Sequence, residues 1–397
     1  MRKPNLKFYF QMMNKFSPAY ICFGILLFPL TFSSASFSQE LRQGLIKEFY
    51  ESGNILSGTY YVNDVPHGTS KSYYENGNVY LEKEFKNGIL EGVAKEYYEN
   101  GQAKSKEIYK SDQLNGLSQY YYENGNLKFE MNFHNGELEG KTREHYQNGI
   151  LKNEASYVKG RWEGPVREYD EQGNLAVEWN YRDGERQGLS KMFYPNKQVK
   201  WEGNFVGDKL QGLTFSYAQN GDLIMEADFK DNQLNGVVQE YYSAKKIKSI
   251  TAYKNDLKDG DSKEFFPNGT LRLERKFLGS VESDESKEYH SDGTLWMTRK
   301  LNEAQGGVLK EFYPTGELKQ EWTIRDGVIN GLSKMYYKSG ELMAEEFYMD
   351  GKKDGTSRLY YQNGSTAFVD IYENGKRASR KAYDENGNIK AGESSSQ

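Results

Sequence analysis

The sequence predicts an all-β fold: one elongated, twisted antiparallel sheet built from tandem β-hairpins. Three observations carry that expectation. Turn glycines recur every 24 residues, an aromatic residue stands four positions before nearly every one, and the segments between turns alternate apolar and polar residues. A period of two is the mark of a half-buried strand. Repetition also overrides the prior set by length. A chain of 397 residues would otherwise read as two or three globular domains, whereas a stack of repeats has no preferred length.

The first 38 residues differ from the rest. Arg2, Lys3, Lys7 and Lys15 precede an apolar run from Ala19 to Phe32, and Ser33, Ser34, Ala35, Ser36, Phe37 and Ser38 follow it. A basic start, a short apolar middle and a small-residue exit make a secretory signal peptide. Cleavage after Ala35 or after Ser38 fits equally. The run is shorter than the roughly twenty residues that a membrane span needs. Cys22, the one cysteine, lies inside it behind Tyr20 and Ile21, where a lipid-anchored cysteine would need small neighbours. The remainder of the chain therefore has no thiol for a disulfide or a thiolate metal site. The first 38 residues hold four of the 52 basic side chains and none of the 57 acidic ones, so the remainder is more acidic than the formal −5 of the whole chain. Nothing basic is concentrated enough for a nucleic-acid footprint, and anionic lipid would repel such a surface. Neither nucleic acid nor membrane, beyond the signal segment, is expected as a partner.

From 41 to 390 the chain is read as a continuous array. Its unit is clearest between Tyr120 and Gly140. First-turn glycines stand at 53, 77, 101, 125, 149, 173, 221, 269 and 293, with Lys197 and Lys245 in two of the slots; the frame slips by one to Gly316 and again near Gly387. A second glycine column runs through 68, 92, 116, 140, 164, 188, 212, 236 and 260, and a third alternates glycine with Asp112, Asp208, Asn232 and Asp256. Gly, Asn and Asp share tolerance for positive φ, so all three columns mark turns or bends. Counting from the first-turn glycine, position −4 is aromatic (Tyr73, Tyr97, Tyr121, Tyr169) except at His145. Position +2 is aliphatic (Leu127, Leu151, Leu175) and position +8 aromatic (Phe85, Tyr109, Phe133). Strand periodicity puts +2 and +8 on one face, together with −4.

Pro195, Pro267 and Pro314 fall two positions before the glycine slot, where proline suits a type I turn followed by a left-handed residue. That is the three-residue hairpin loop with a glycine bulge. Glutamates at −5 (Glu96, Glu144, Glu168) and +5 (Glu82, Glu130, Glu154), with lysines at +3 (Lys104, Lys128, Lys152), are expected on the opposite, solvated face. Tyrosines at −3 interrupt that face. Tyr74, Tyr98, Tyr122, Tyr146, Tyr194, Tyr242, Tyr337 and Tyr361 are the candidate binding surface, since tyrosine offers a large rigid contact at little entropic cost. Two strands per repeat give about 9.6 Å of sheet and roughly 130 Å in all. Between 278 and 307 the pattern weakens. Asp284 replaces the second glycine and the stretch near Leu301 is one residue short, so a hinge is expected there. Residues 391–397 form a polar tail.

No catalytic constellation is present. His67, His134, His145 and His290 occupy turn or aromatic columns, there is no HExxH or phosphate-cradling motif, and the carboxylates are periodic throughout. Turn aspartates such as Asp256, Asp259 and Asp261 do not have the spacing of a calcium loop. No enzyme activity, cofactor or metal is expected.

The units Tyr97-Tyr98-Glu99-Asn100-Gly101 and Asn135-Gly136-Glu137-Leu138-Glu139-Gly140 resemble the MORN repeat, in the variant common in bacterial proteins labelled antitoxin-like. The likeness extends from residue 44 to 390. It implies an elongated, curved hairpin sheet and non-enzymatic roles: membrane association, protein binding, or the antitoxin component of a toxin pair. With the signal peptide, the leading expectation is an exported scaffold that binds a protein partner at the cell envelope, in the periplasm, at the surface or outside. A glycan- or cell-wall-binding repeat protein is the second, and an antitoxin-like component the third.

Overall fold

The computed structural model describes residues 41–301 and 306–390. The signal segment expected at 1–38, the polar tail expected at 391–397 and residues 302–305 of the expected hinge lie outside the described residues. Everything described from residue 43 onward belongs to one unit. It is a single antiparallel sheet of 34 strands, in which strands contact their neighbours along the chain. One 3-10 turn, Ser243–Lys245, is its sole helical element among the described residues.

Each repeat folds around three bends. At the first turn, the Gly77 N–H donates to the Tyr74 carbonyl at 2.9 Å and the Tyr74 N–H to the Asn78 carbonyl at 2.8 Å. Gly77 has φ +88°, so this is the type I turn with a glycine bulge. The Asn76 side chain accepts the Asn78 N–H at 2.9 Å and holds the loop shut. Lys197 takes the same backbone at φ +69°, at a cost of about 1 kcal/mol. At Lys245 the loop instead tightens into the 3-10 turn, with Ala244 also at positive φ.

The third glycine column is a two-residue hairpin with both residues left-handed: Asn87 and Gly88 at φ +51° and +81°, Asn255 and Asp256 at +50° and +68°. This is the type I′ turn, which matches strand twist and explains why only Gly, Asn, Asp and a few others fill it. The second glycine column marks a bulge. Gly140 pairs with Tyr157 in its own hairpin, but toward the preceding strand the pairing jumps from Met131↔Thr142 to Phe133↔Leu138. Residues 139–141 face Asn132 alone, and Gly140 at φ +84° makes the bend.

The expected sharing of a face by +2 and +8 is overturned. Tyr73 pairs with Val79, but Ser72 pairs with Leu81, Lys71 with Glu82 and Gly68 with Phe85. Tyr80, at +3, is left over as a further bulge, and a one-residue insertion exchanges the two faces of everything beyond it. Positions −4, +2, −6, +5 and −8 therefore share one face, here the open face. Positions −5, −7, +4, +6 and +8 share the other, the buried face. The glutamate columns at −5 and +5, expected together, lie on opposite sides. Lysines at +3 go with the former: Lys104 meets Glu96 at 2.6 Å and Lys152 meets Glu144 at 2.7 Å.

The buried face is the core. Trp179, Trp201, Phe205, Leu210, Met225, Ala227 and Phe229 are buried on it. The Trp179 and Phe205 rings meet edge to face at 5.9 Å, and Trp201 packs on both. The Arg186 guanidinium lies 4.5 Å from the Phe205 ring centre and donates to Asp208 at 3.2 Å. Among the described residues no second layer covers these side chains, so their burial requires the sheet to bend toward this face, and the bulges of each repeat supply the bend. Toward the C-terminus the core turns ionic. Asp370, 1% exposed, takes both its bonds from Arg380 at 2.7 Å.

Within the expected hinge, strand Leu295–Leu301 pairs with Gly306–Phe312 in a straight ladder from Met297↔Glu311 to Leu301↔Gly307. The missing residue has removed the glycine bulge from this joint. Gly307 is required there for another reason: a Cβ would meet the Lys300 carbonyl oxygen.

Candidate binding surface

The −3 tyrosines follow the first strand of each hairpin, and strand length carries each hydroxyl to the next repeat. Every one donates to the backbone carbonyl of the −4 residue ahead. Tyr74 reaches Tyr97 at 2.8 Å, Tyr98 reaches Tyr121 at 2.8 Å, Tyr122 reaches His145 at 2.9 Å and Tyr146 reaches Tyr169 at 2.9 Å. Tyr194 reaches Tyr217 at 2.9 Å, Tyr242 reaches Phe265 at 3.0 Å, Tyr337 reaches Tyr360 at 2.7 Å and Tyr361 reaches Tyr383 at 2.9 Å. Tyr50 and Tyr313, which the sequence reading left out, do the same. The +3 lysine covers one face of several rings: Lys104 lies 5.9 Å from the Tyr98 centre, Lys128 5.4 Å from Tyr122, Lys152 5.8 Å from Tyr146 and Lys200 5.7 Å from Tyr194. Tyr74 packs edge to face on Tyr80 at 5.1 Å. Burial pushes the hydroxyls of Tyr74, Tyr146 and Tyr194 above the ordinary tyrosine range. These residues fasten repeat to repeat, and what they leave to a ligand is part of a ring.

The open face has a different row. Position −6 is basic in most repeats and pairs across strands with the acid at +5: Lys71 with Glu82 at 2.5 Å, Lys191 with Glu202 at 3.2 Å, Lys263 with Glu274 at 3.2 Å and Lys310 with Glu321 at 2.9 Å. In the middle the pairs join. Arg143 binds Glu154 at 3.0 Å and lies 3.8 Å from Glu130, and Arg167 binds Glu178 at 2.6 Å and lies 3.8 Å from Glu154. The hydrogen bond from Lys71 holds the Glu82 carboxyl below the usual range. Beside this row, at −8, stand Leu117, Leu189, Leu213, Val237 and Leu332, with Leu189 45% and Leu213 53% exposed. The sequence reading missed both columns. Their signal was parity, because a basic −6 opposite an acidic +5 needs an odd register that −4 opposite +2 does not have.

A single open sheet of bulged hairpins, fastened along its turn edge by tyrosine hydroxyls, defines a β-repeat protein. Ten of its units match the MORN repeat variant, at residues 42–63, 66–87, 90–111, 114–135, 138–159, 162–183, 234–255, 258–278, 305–326 and 329–350. More than half the chain is matched, and the chain belongs to that family. The unmatched stretch between 184 and 233 keeps the same register, with Phe193↔Val199 and Tyr217↔Leu223 in their places.

Among solved structures, the crystal structure of TcdB2-TccC3 aligns at 11% identity and a TM-score of 0.15, covering 86% of this chain and 20% of that one. The Photorhabdus luminescens Tc holotoxin pore with the mutation TccC3-D651A aligns at 11% identity and a TM-score of 0.16, covering 88% and 24%. The chain thus spans about a fifth to a quarter of those chains. No curated protein matches the sequence.

Proposed function

We propose that this protein is a non-enzymatic, exported scaffold whose open face binds a protein partner at the cell envelope. The observation that carries the reading is the −8 column, Leu117, Leu189, Leu213 and Val237, exposed in register beside a row of charged and polar side chains that is ion-paired in several repeats. An apolar strip rimmed by polar side chains is the anatomy of a protein interface. The signal-like first 38 residues motivate export. An antitoxin-like role is the special case in which the partner is a toxic protein. The ring surface that the −3 tyrosines retain is a weaker basis for glycan binding, since their hydroxyls already serve the fold. Cell fractionation followed by crosslinked capture from envelope extract tests the proposal, with Leu189→Lys and Leu213→Lys as the interface variants. Recovery of a specific protein by the parent but not by the variants is expected. Recovery of none, or equal recovery by both, overturns it.

A further inference from the structure

The charge row of the open face is interrupted in several repeats, as at Phe215↔Glu226, Gln239↔Ile250 and Lys287↔Thr298, and in one of them two like charges meet. In the third repeat Lys106 stands at +5, where the acid belongs, directly opposite Lys95. Gln119, opposite Lys106 on its other side, turns its amide to Glu130 at 3.1 Å. Glu82, opposite Lys95 on its other side, is taken by Lys71 at 2.5 Å and by the Tyr97 hydroxyl at 3.3 Å. Lys106 has no ion pair or hydrogen bond for its ammonium group among the described residues, and Lys95 has neither, feeling only the field of the Glu82 carboxylate that Lys71 already binds. Like charges directly opposite destabilise a sheet, and no ion pair among the described residues engages either lysine.

The two ammonium-bearing chains line a surface cavity of about 330 Å³ together with Thr69, Glu82, Lys83, Glu84 and Val93. Val93 pairs with Ile108, and Leu117 stands exposed on the next strand. The site therefore places two positive charges that no ion pair engages one strand-step from an aliphatic strip. We infer that it seats an acidic–apolar segment of the protein partner, with one carboxylate between Lys95 and Lys106 and aliphatic side chains on Val93, Ile108 and Leu117. Glu84, opposite Thr69, repels a carboxylate on that side, so the guest's acid enters between the two lysines from the side away from Glu84. This assignment rests on the reading of the open face as a protein-binding surface.

The test uses the full chain and a fluorescein-labelled hexapeptide of alternating glutamate and leucine, read by anisotropy, with a lysine–leucine hexapeptide as comparison. Lys106→Glu restores the charge alternation and should raise the thermal midpoint, so lost binding cannot be lost folding. It is expected to weaken the acidic peptide about ten-fold or more, while Lys334→Gln, far along the −6 column, leaves binding unchanged. Equal affinity for the basic peptide, indifference to Lys106→Glu, or displacement by inorganic phosphate as readily as by unlabelled peptide overturns the assignment. So does a Lys106→Glu protein no more stable than its parent. If envelope capture fails with the leucine variants but is untouched by Lys106→Glu, this seat alone is refuted. If the peptide binds as expected and no envelope protein is captured, the broader reading fails instead.

Discussion

Removing one oxygen atom gives the sharpest test of how the repeats are held together. Tyr122→Phe deletes the hydroxyl that donates to the His145 carbonyl at 2.9 Å and keeps the ring on which Lys128 rests at 5.4 Å. The bond is part-buried and links residues 23 apart, so it acts on the joint between two repeats and not within either. A net intramolecular hydrogen bond is worth about 1 kcal/mol. Because a repeat array is stabilised by nearest-neighbour terms, the loss should stay at that joint. Amide exchange in the flanking strands is expected to quicken about five-fold, with distant repeats unchanged. Adding Tyr74→Phe and Tyr194→Phe weakens joints well separated from the first, and the three effects should sum to about 3 kcal/mol in chemical unfolding. If the phenylalanine variants exchange and unfold like the parent but lose partner capture, the hydroxyls serve a ligand and the fastening role is wrong.

The packed core and the turns give further expectations. A Cβ at Gly203 would stand 2.6 Å from the Trp201 ring and 2.9 Å from Leu210, so Gly203→Ala should cost about 1–3 kcal/mol by overpacking; an unshifted melting curve would refute the tight fit. Arg380→Ala strands the buried Asp370 carboxylate and should cost about 3–5 kcal/mol, with much of it regained in Arg380→Ala/Asp370→Leu. Equal stability of single and double variants would refute that account. Burial lifts the hydroxyls of Tyr181 and Tyr217 to about 12, the latter helped by its bond to Glu202, against about 10 in an unfolded chain. The folded value is the higher one, so their contribution is complete below about pH 10 and disappears as pH rises through about 12. Tyr109, Tyr120 and Tyr348 shift the same way. Circular dichroism should therefore show a steep alkaline unfolding, and a flat profile would contradict the burial.

Much of this architecture was legible because repetition makes each rule visible many times over. The hairpins, the glycine-bulge turn at Pro267-Asn268-Gly269 and the pairing of −4 with +2 follow from residue chemistry that one repeat only hints at. The assignment of faces did not. Leu127, Phe129, Met131 and Phe133 alternate without a break, so the sequence looks like an uninterrupted strand, yet Lys128 is looped out and the strand changes sides after it. A bulge costs a residue its partner without changing its character, and binary patterning cannot see it. The charges could: Lys71 faces Glu82 only in the shifted register. The −3 tyrosines illustrate a second limit. The carbonyl that satisfies each hydroxyl comes from the next repeat, and its distance depends on curvature that the bulges create.

The straight joint at Met297–Gly307 aside, no part of this ribbon waits for a remote part. The widest ladder pair among the described residues, Gly306 with Arg325, lies only 19 positions apart, and the tyrosine fasteners reach one unit further on. For a β protein this is an unusually low contact order, and slow closure of long loops is what normally delays sheets. A chain threaded end-first through a narrow exit could set each hairpin as it emerged, with the freshly formed edge serving as template for the next. Growth by whole units would then be nearly free of topological consequence, so the number of repeats can follow the length of whatever the ribbon lies against.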